Sequence, residues 1–213
     1  METFINSLFH KISMDAAYVS VDIEASGRTP GKYTMLSLGA CMVDNPHQTF
    51  YKELKPIVLT FDPAAMRVGS QGLRCLKPHL SRPDYNPDDP RFEPLKVLQL
   101  LQQKGASYTQ SFQEFGDWVR KSSKGQRPVL VAAPIIFDGM WVQWYFDNFA
   151  STFNPFGHSG IDINSIYKGL TKNMDANIVD LNLREGQKSH NALEDAVQQA
   201  LEFDHILKLL QHP

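Results

Sequence analysis

The run Val21-Asp22-Ile23-Glu24-Ala25-Ser26-Gly27 constrains this chain most, because it continues an apolar stretch, Ala16-Ala17-Tyr18-Val19, without a break. The combined pattern predicts a strand over residues 17–23. Side chains alternate between the faces of a strand, so Asp22 and Glu24 point the same way. Two neighbouring carboxylates repel each other and lose hydration if buried. A core-forming strand tolerates such a pair when a cation sits between the acids, and hard divalent metals with oxygen ligands suit that place. The plain alternative is an exposed edge strand that carries Asp-x-Glu for solubility.

Further strands are expected over Met35–Val43 and Thr49–Leu54, joined as an antiparallel hairpin by the turn Asp44-Asn45-Pro46-His47. Asp62-Pro63 opens a short helix, with Asp as the cap and Pro in the first helical position. Residues 78–94 hold five prolines among Asp and Arg residues, which predicts a long irregular loop or insertion within one domain spanning 1–213. Thr109 is placed as the cap of a helix carrying Phe112, Phe115, Trp118 and Val119 at helical spacing.

Pro128–Ala133 reads as a short buried strand, with Asp138 heading an aromatic-rich helix to about Ala150. Gly160–Ile163 is a candidate last strand. Asn191–Leu210 is the closing helix, with Leu193, Ala196, Val197, Ala200, Phe203 and Leu207 on one stripe. Strands alternating with helices after a hairpin imply a mixed α/β sheet covered by helices.

A net charge of −2 excludes a grossly basic nucleic-acid coat but not a nucleic-acid enzyme, because bound divalent ions outweigh the global balance locally. The cysteines, Cys41 and Cys75, have no zinc spacing and no disulfide framework. Residues 1–13 lack the apolar core of a signal peptide, and no stretch has the length of a membrane span. A soluble, cytoplasmic protein without membrane partners is the expectation.

Three more residues complete a constellation. Asp138 lies where a buried strand gives way to a helix, a favoured ligand position in α/β sheets. His190 and Asp195 bracket the start of the last helix in His190-Asn191-Ala192-Leu193-Glu194-Asp195, where Asn191 and Glu194 form a capping-box pattern. The ordered set resembles the DEDDh family of 3′–5′ exonucleases, which includes polymerase proofreading subunits, oligoribonuclease and ribonuclease T. The family's D-x-E motif matches Asp22-Ile23-Glu24, its apolar strand ending in Phe-Asp matches Val129 to Asp138, and its H-x-A-x-x-D matches His190 to Asp195. The resemblance covers residues 17–208. Two departures stand out: Ala25 replaces the usual Thr, and Ala133-Pro134 stand where His-Asn often precedes the second motif's Asp, so the segment to Asp138 takes another path.

The resemblance implies a ribonuclease H-like fold with a five-stranded mixed sheet. It also implies a site in which Asp22, Glu24, Asp138 and Asp195 hold two Mg²⁺ or Mn²⁺ ions. Such a pair supports phosphodiester hydrolysis at the free 3′ end of DNA or RNA, with a 5′-mononucleotide as product. His190, neutral near pH 7, would take the proton from the attacking water. Ala25, Ser26, Gly27, Met35 and Leu36 fall where relatives meet the terminal nucleotide. Several relatives dimerise, so a homodimer stays open.

Each residue also has a plainer role. Asp138 can be only a helix cap, and Asp195, roughly 160° from its helix's apolar stripe, reads by periodicity as solvated. His190 can be a surface histidine, and Asp162 a structural acid near a strand end. The aromatics Trp141, Trp144, Tyr145, Phe146 and Phe149 suit packing better than base stacking, and Met35 and Leu36 suit the core as well as a wedge. A catalytically silent module that binds nucleic acid or protein is the competing function.

Overall fold

The computed structural model describes residues 16–183 and 189–211. The expectation for residues 1–13 falls outside the described residues. Strand β1 (Ala16–Ala25) runs two residues beyond its predicted end. It pairs antiparallel with β2 (Met35–Met42), which pairs antiparallel with β3 (Thr49–Glu53). On its other side β1 is parallel to β4 (Arg127–Ala132), which is parallel to β5 (Gly160–Asp162). The order β3-β2-β1-β4-β5 puts the acidic strand at the centre of the sheet.

The helices are α1 (Pro63–Gly69), α2 (Pro94–Lys104), α3 (Tyr108–Ser122), α4 (Ile135–Phe149), α5 (Ile163–Thr171) and α6 (Ala192–Gln211). On one face of the sheet, Val19, Val21 and Ile23 pack with Phe112, Phe115, Trp141, Tyr145 and Phe146 from α3 and α4. On the other face, Cys41, Val43 and Val131 pack with Ile163 of α5 and with Ala200, Phe203 and Ile206 of α6. Burial of these side chains, at about 25 cal/mol per Å² of apolar surface, is what holds the layers together.

Several predicted boundaries shift. Helix α4 begins at Ile135 behind Pro134, so Asp138 sits in its first turn and does not head it. Pro134 sets the start, because a proline fixes φ and ends the strand's ladder. The cap of α3 is Ser107, whose side chain accepts from the Gln110 amide, not Thr109. Asp62 caps α1 as expected, accepting from the Ala64 and Ala65 amides at 2.9 and 3.0 Å. The last strand ends at Asp162, whose Oδ1 then caps α5 by accepting from Ser165 N–H at 2.8 Å.

The segment at 78–94 is not wholly irregular. It takes in the end of a 3₁₀ stretch, Arg74–His79, and a 3₁₀ turn at Pro83–Tyr85, and its last residue, Pro94, opens α2. Leu73, Leu76 and Phe92 share a cluster with Leu36 and Met66 and with Val97, Leu98 and Leu101 of α2. Arg67 Nη1 donates to the carbonyls of Pro87 (2.6 Å) and Asp89 (3.0 Å), which replaces the missing ladder bonds of this proline-rich stretch.

Among the described residues, no helix is long and apolar enough to cross a membrane.

Candidate active site

The ladder between β1 and β2 explains how acids fit at the sheet centre. Asp22 lies opposite Gly39 and Glu24 opposite Ser37, so both acids face small residues. Gly39 serves a close approach: a Cβ there would stand 2.2 Å from the Ala192 carbonyl carbon and the Leu193 nitrogen. The start of α6 therefore rests directly on β2. Isolated glycine in a strand marks such backbone approach.

Helix α6 is fixed there by its cap. Asn191 Oδ1 accepts from the Leu193 and Glu194 amides at 3.2 and 3.3 Å, and its Nδ2 donates to the Gly72 carbonyl at 2.7 Å. The Asn191 amide donates to Ser189 Oγ at 3.2 Å, so serine fills the place the capping-box pattern gave to Glu194, which is exposed. His190 has left-handed φ of 50°, with Gly72 pressed against its carbonyl.

These contacts bring Asp195 inward, contrary to the periodicity: it is 5% exposed. Helix α6 is buried on a second, polar face made by Asp195, Gln199 and Glu202, at i, i+4 and i+7. Glu24, His190 and Asp195 each offer a ligand atom, all within 4.8 Å of one another. His190 Nδ1 stands 4.0 Å from Glu24 Oε1, too far for a hydrogen bond.

Asp138 arrives from the opposite layer. The β1–β4 ladder stops at Ser20, so β1 continues with one edge uncovered. There the Ile23 amide, flanked by Asp22 and Glu24, donates to Asp138 Oδ1 at 3.0 Å. Asp138 is 3% exposed. The Ala133-Pro134 departure therefore does not divert this acid from the pair on β1. Its helix is anchored by Asp162, whose Oδ2 accepts from the Ile135 amide at 3.0 Å.

The remaining predicted residues have other placements. Ser26 closes the loop to Thr34: its Oγ accepts from the Thr34 amide and donates to the Thr60 carbonyl, both at 3.0 Å. Gly27 lies under the Tyr33 ring. Ala25 is buried beside Gly69, and Met35 and Leu36 are fully buried in separate clusters, so neither presents side-chain surface here. A bulge between Glu24 and Ala25 shifts the register at this point, and Leu36 and Glu24 both border Gly69. Tyr145 is a packing residue that also holds β2, accepting from the Met35 amide at 2.8 Å, and burial pushes its phenol up to about 12.

The donor set suits hard divalent cations. Carboxylate oxygens and one imidazole converge in a buried place where acids alone would repel each other, and a shared cation relieves that cost.

The sequence is 33% identical over 198 residues to Cap18 of Escherichia coli, a 3′–5′ DNA exonuclease, covering 90% of this chain and 92% of that protein. The chain belongs to the DEDDh family of 3′–5′ exonucleases. The protein is thus a nuclease, a hydrolase with the ribonuclease H-like fold. The DEDDh-family nuclease domain of 3′hExo, solved with rAMP, superposes with a TM-score of 0.62 at 14% identity, covering 92% of this chain and 94% of that one. Exonuclease I of E. coli, solved with a dA16 oligonucleotide, gives 0.52 at 14% identity over 87% of this chain and 39% of its own. No protein-family model matches the sequence.

Two contributors escaped sequence reading. Gly39 carried a signal, a lone glycine among apolar strand residues. Gln199 carried none, because a glutamine on a helix reads as solvated.

Proposed function

We propose that Asp22, Glu24, Asp138 and Asp195 hold two divalent ions, Mg²⁺ or Mn²⁺, and that with His190 they hydrolyse the terminal phosphodiester of DNA from a free 3′ end, releasing 5′-mononucleotides. One observation carries this reading: Glu24, His190 and Asp195 come within 4.8 Å while Asp138 is bonded to the amide between Asp22 and Glu24. DNA is chosen over RNA because Cap18 is a DNA exonuclease.

When bound, a metal pair offsets charge on the phosphoryl oxygens and lowers the pKa of the attacking water. The chain's own part is to orient and to move a proton. Burial of Glu24, Asp138 and Asp195 keeps bulk water away, so their charges act at low dielectric. His190 turns its imidazole toward Glu24, with Nδ1 4.0 Å from Oε1, which puts the ring beside the acids where a base for the attacking water is needed. Its side chain is 28% exposed, so solvent can carry that proton off.

The test is a panel of 5′- and 3′-labelled DNA and RNA oligomers in Mg²⁺, Mn²⁺ or chelator, with Asp22→Ala beside the native protein. The expected result is stepwise shortening of 5′-labelled DNA and release of labelled mononucleotide from the 3′ label, both abolished by chelator and by D22A. Hydrolysis that survives either treatment, or none in either metal, overturns the reading.

A further inference from the structure

Gln199 is 2% exposed, on the α6 face that also carries Asp195 one turn earlier. Its Oε1 accepts from the Ala133 amide at 2.9 Å, and its Nε2 donates to Asp22 Oδ1 at 2.8 Å. One carboxamide thus joins the central strand to the chain leaving β4, which three residues later has entered α4 toward Asp138.

We propose that Gln199 is a positioning residue for the metal centre: it fixes the rotamer of the Asp22 carboxylate and, through Ala133, the approach of Asp138. The inference rests on the reading of Asp22 as a metal ligand. The chemistry of the side chain decides the role. A lysine or arginine here would neutralise Asp22 and compete with a metal, and an aliphatic chain would remove the hydrogen bond that Gln199 gives the carboxylate. A primary amide has a donor and an acceptor at fixed separation and no charge. It can therefore aim Asp22 while leaving its negative charge for a cation. Groups that orient a ligand from behind in this way are worth about 10- to 100-fold in metal affinity.

The test is Mn²⁺ binding by calorimetry to the full chain without nucleic acid, with steady-state kinetics as a second readout. Variants are Gln199→Leu, Gln199→Met (an unbranched chain of similar reach) and Asp22→Ala. The expected result for Q199L and Q199M is a dissociation constant for Mn²⁺ raised about 10-fold or more, with kcat lowered, KM for the oligonucleotide kept and circular dichroism unchanged. Native Mn²⁺ affinity in a folded Gln199 variant overturns the proposal, provided D22A has lost Mn²⁺. Native Mn²⁺ affinity in D22A overturns instead the metal-site reading beneath it. Failure of both Gln199 variants to fold also overturns the assignment, since the residue would then serve folding.

Discussion

A Cβ on Gly39 would stand 2.2 Å from the carbonyl carbon of Ala192, so the central hairpin and the start of α6 meet backbone to backbone. Gly39→Ala must push that helix start away, and with it Asp195, from Glu24. Overpacking of this kind costs about 1–3 kcal/mol. Urea unfolding should show that loss. Nucleotide release, assayed where the variant is still folded, should fall much further than stability does.

Asp195→Asn removes one charge from a crowded buried set. The expected outcome in chelator is a melting temperature equal to the native one or a few degrees higher, at about 2–4 °C per kcal/mol, with nucleotide release lost when metal is restored. Sites that gather like charges give up stability for activity. A melting temperature well below native in chelator would contradict the electrostatic account.

Asp162 accepts from three groups, the Ser165 amide and hydroxyl as a cap and the Ile135 amide at the head of α4. Asp162→Ala should cost about 2–4 kcal/mol from the lost cap and the unpaired amide. Asparagine, which keeps a capping oxygen, should recover part of it. Denaturant midpoints of the two variants check the order.

Tyr145→Phe keeps the ring packing but leaves the buried Met35 amide without its 2.8 Å partner. The expected loss is about 1–3 kcal/mol, read by thermal unfolding, with hydrogen exchange quickened at the start of β2.

Asp84 lies between Lys96 and Arg82, and their hydrogen bonds lower its carboxyl to about 2. Since the folded value is depressed, its contribution is complete above the ordinary carboxylate pKa near 4 and disappears as pH falls through about 2. Pepsin digestion between pH 4 and pH 2 should therefore first gain cleavage sites around residues 78–94. Asp84→Asn should show that sensitivity already at the upper end of this window.

The sheet and the acidic cluster were largely readable in the sequence, for identifiable reasons. Alternation placed Asp22 and Glu24 on one face, and the apolar run at 128–133 marked a buried parallel strand. Asp195 misled because its helix is buried on two sides, and the apolar stripe that periodicity detects describes only the side with Phe203 and Ile206. Helix α2 was hidden by Pro94, which read as one more loop proline yet is the residue that opens the helix. The roles of Gln199 and Asp162 depend on partners 66 and 27 residues away, and no local pattern encodes such pairings.

The four acids sit on β1, α4 and α6, and the last of them belongs to the final helix described. A chain still under synthesis, with residues 192–211 not yet made, has its strand carboxylates but no Asp195 to complete the cluster. Under the proposed chemistry such a partial product, short of one of its four carboxylates, should release no nucleotide.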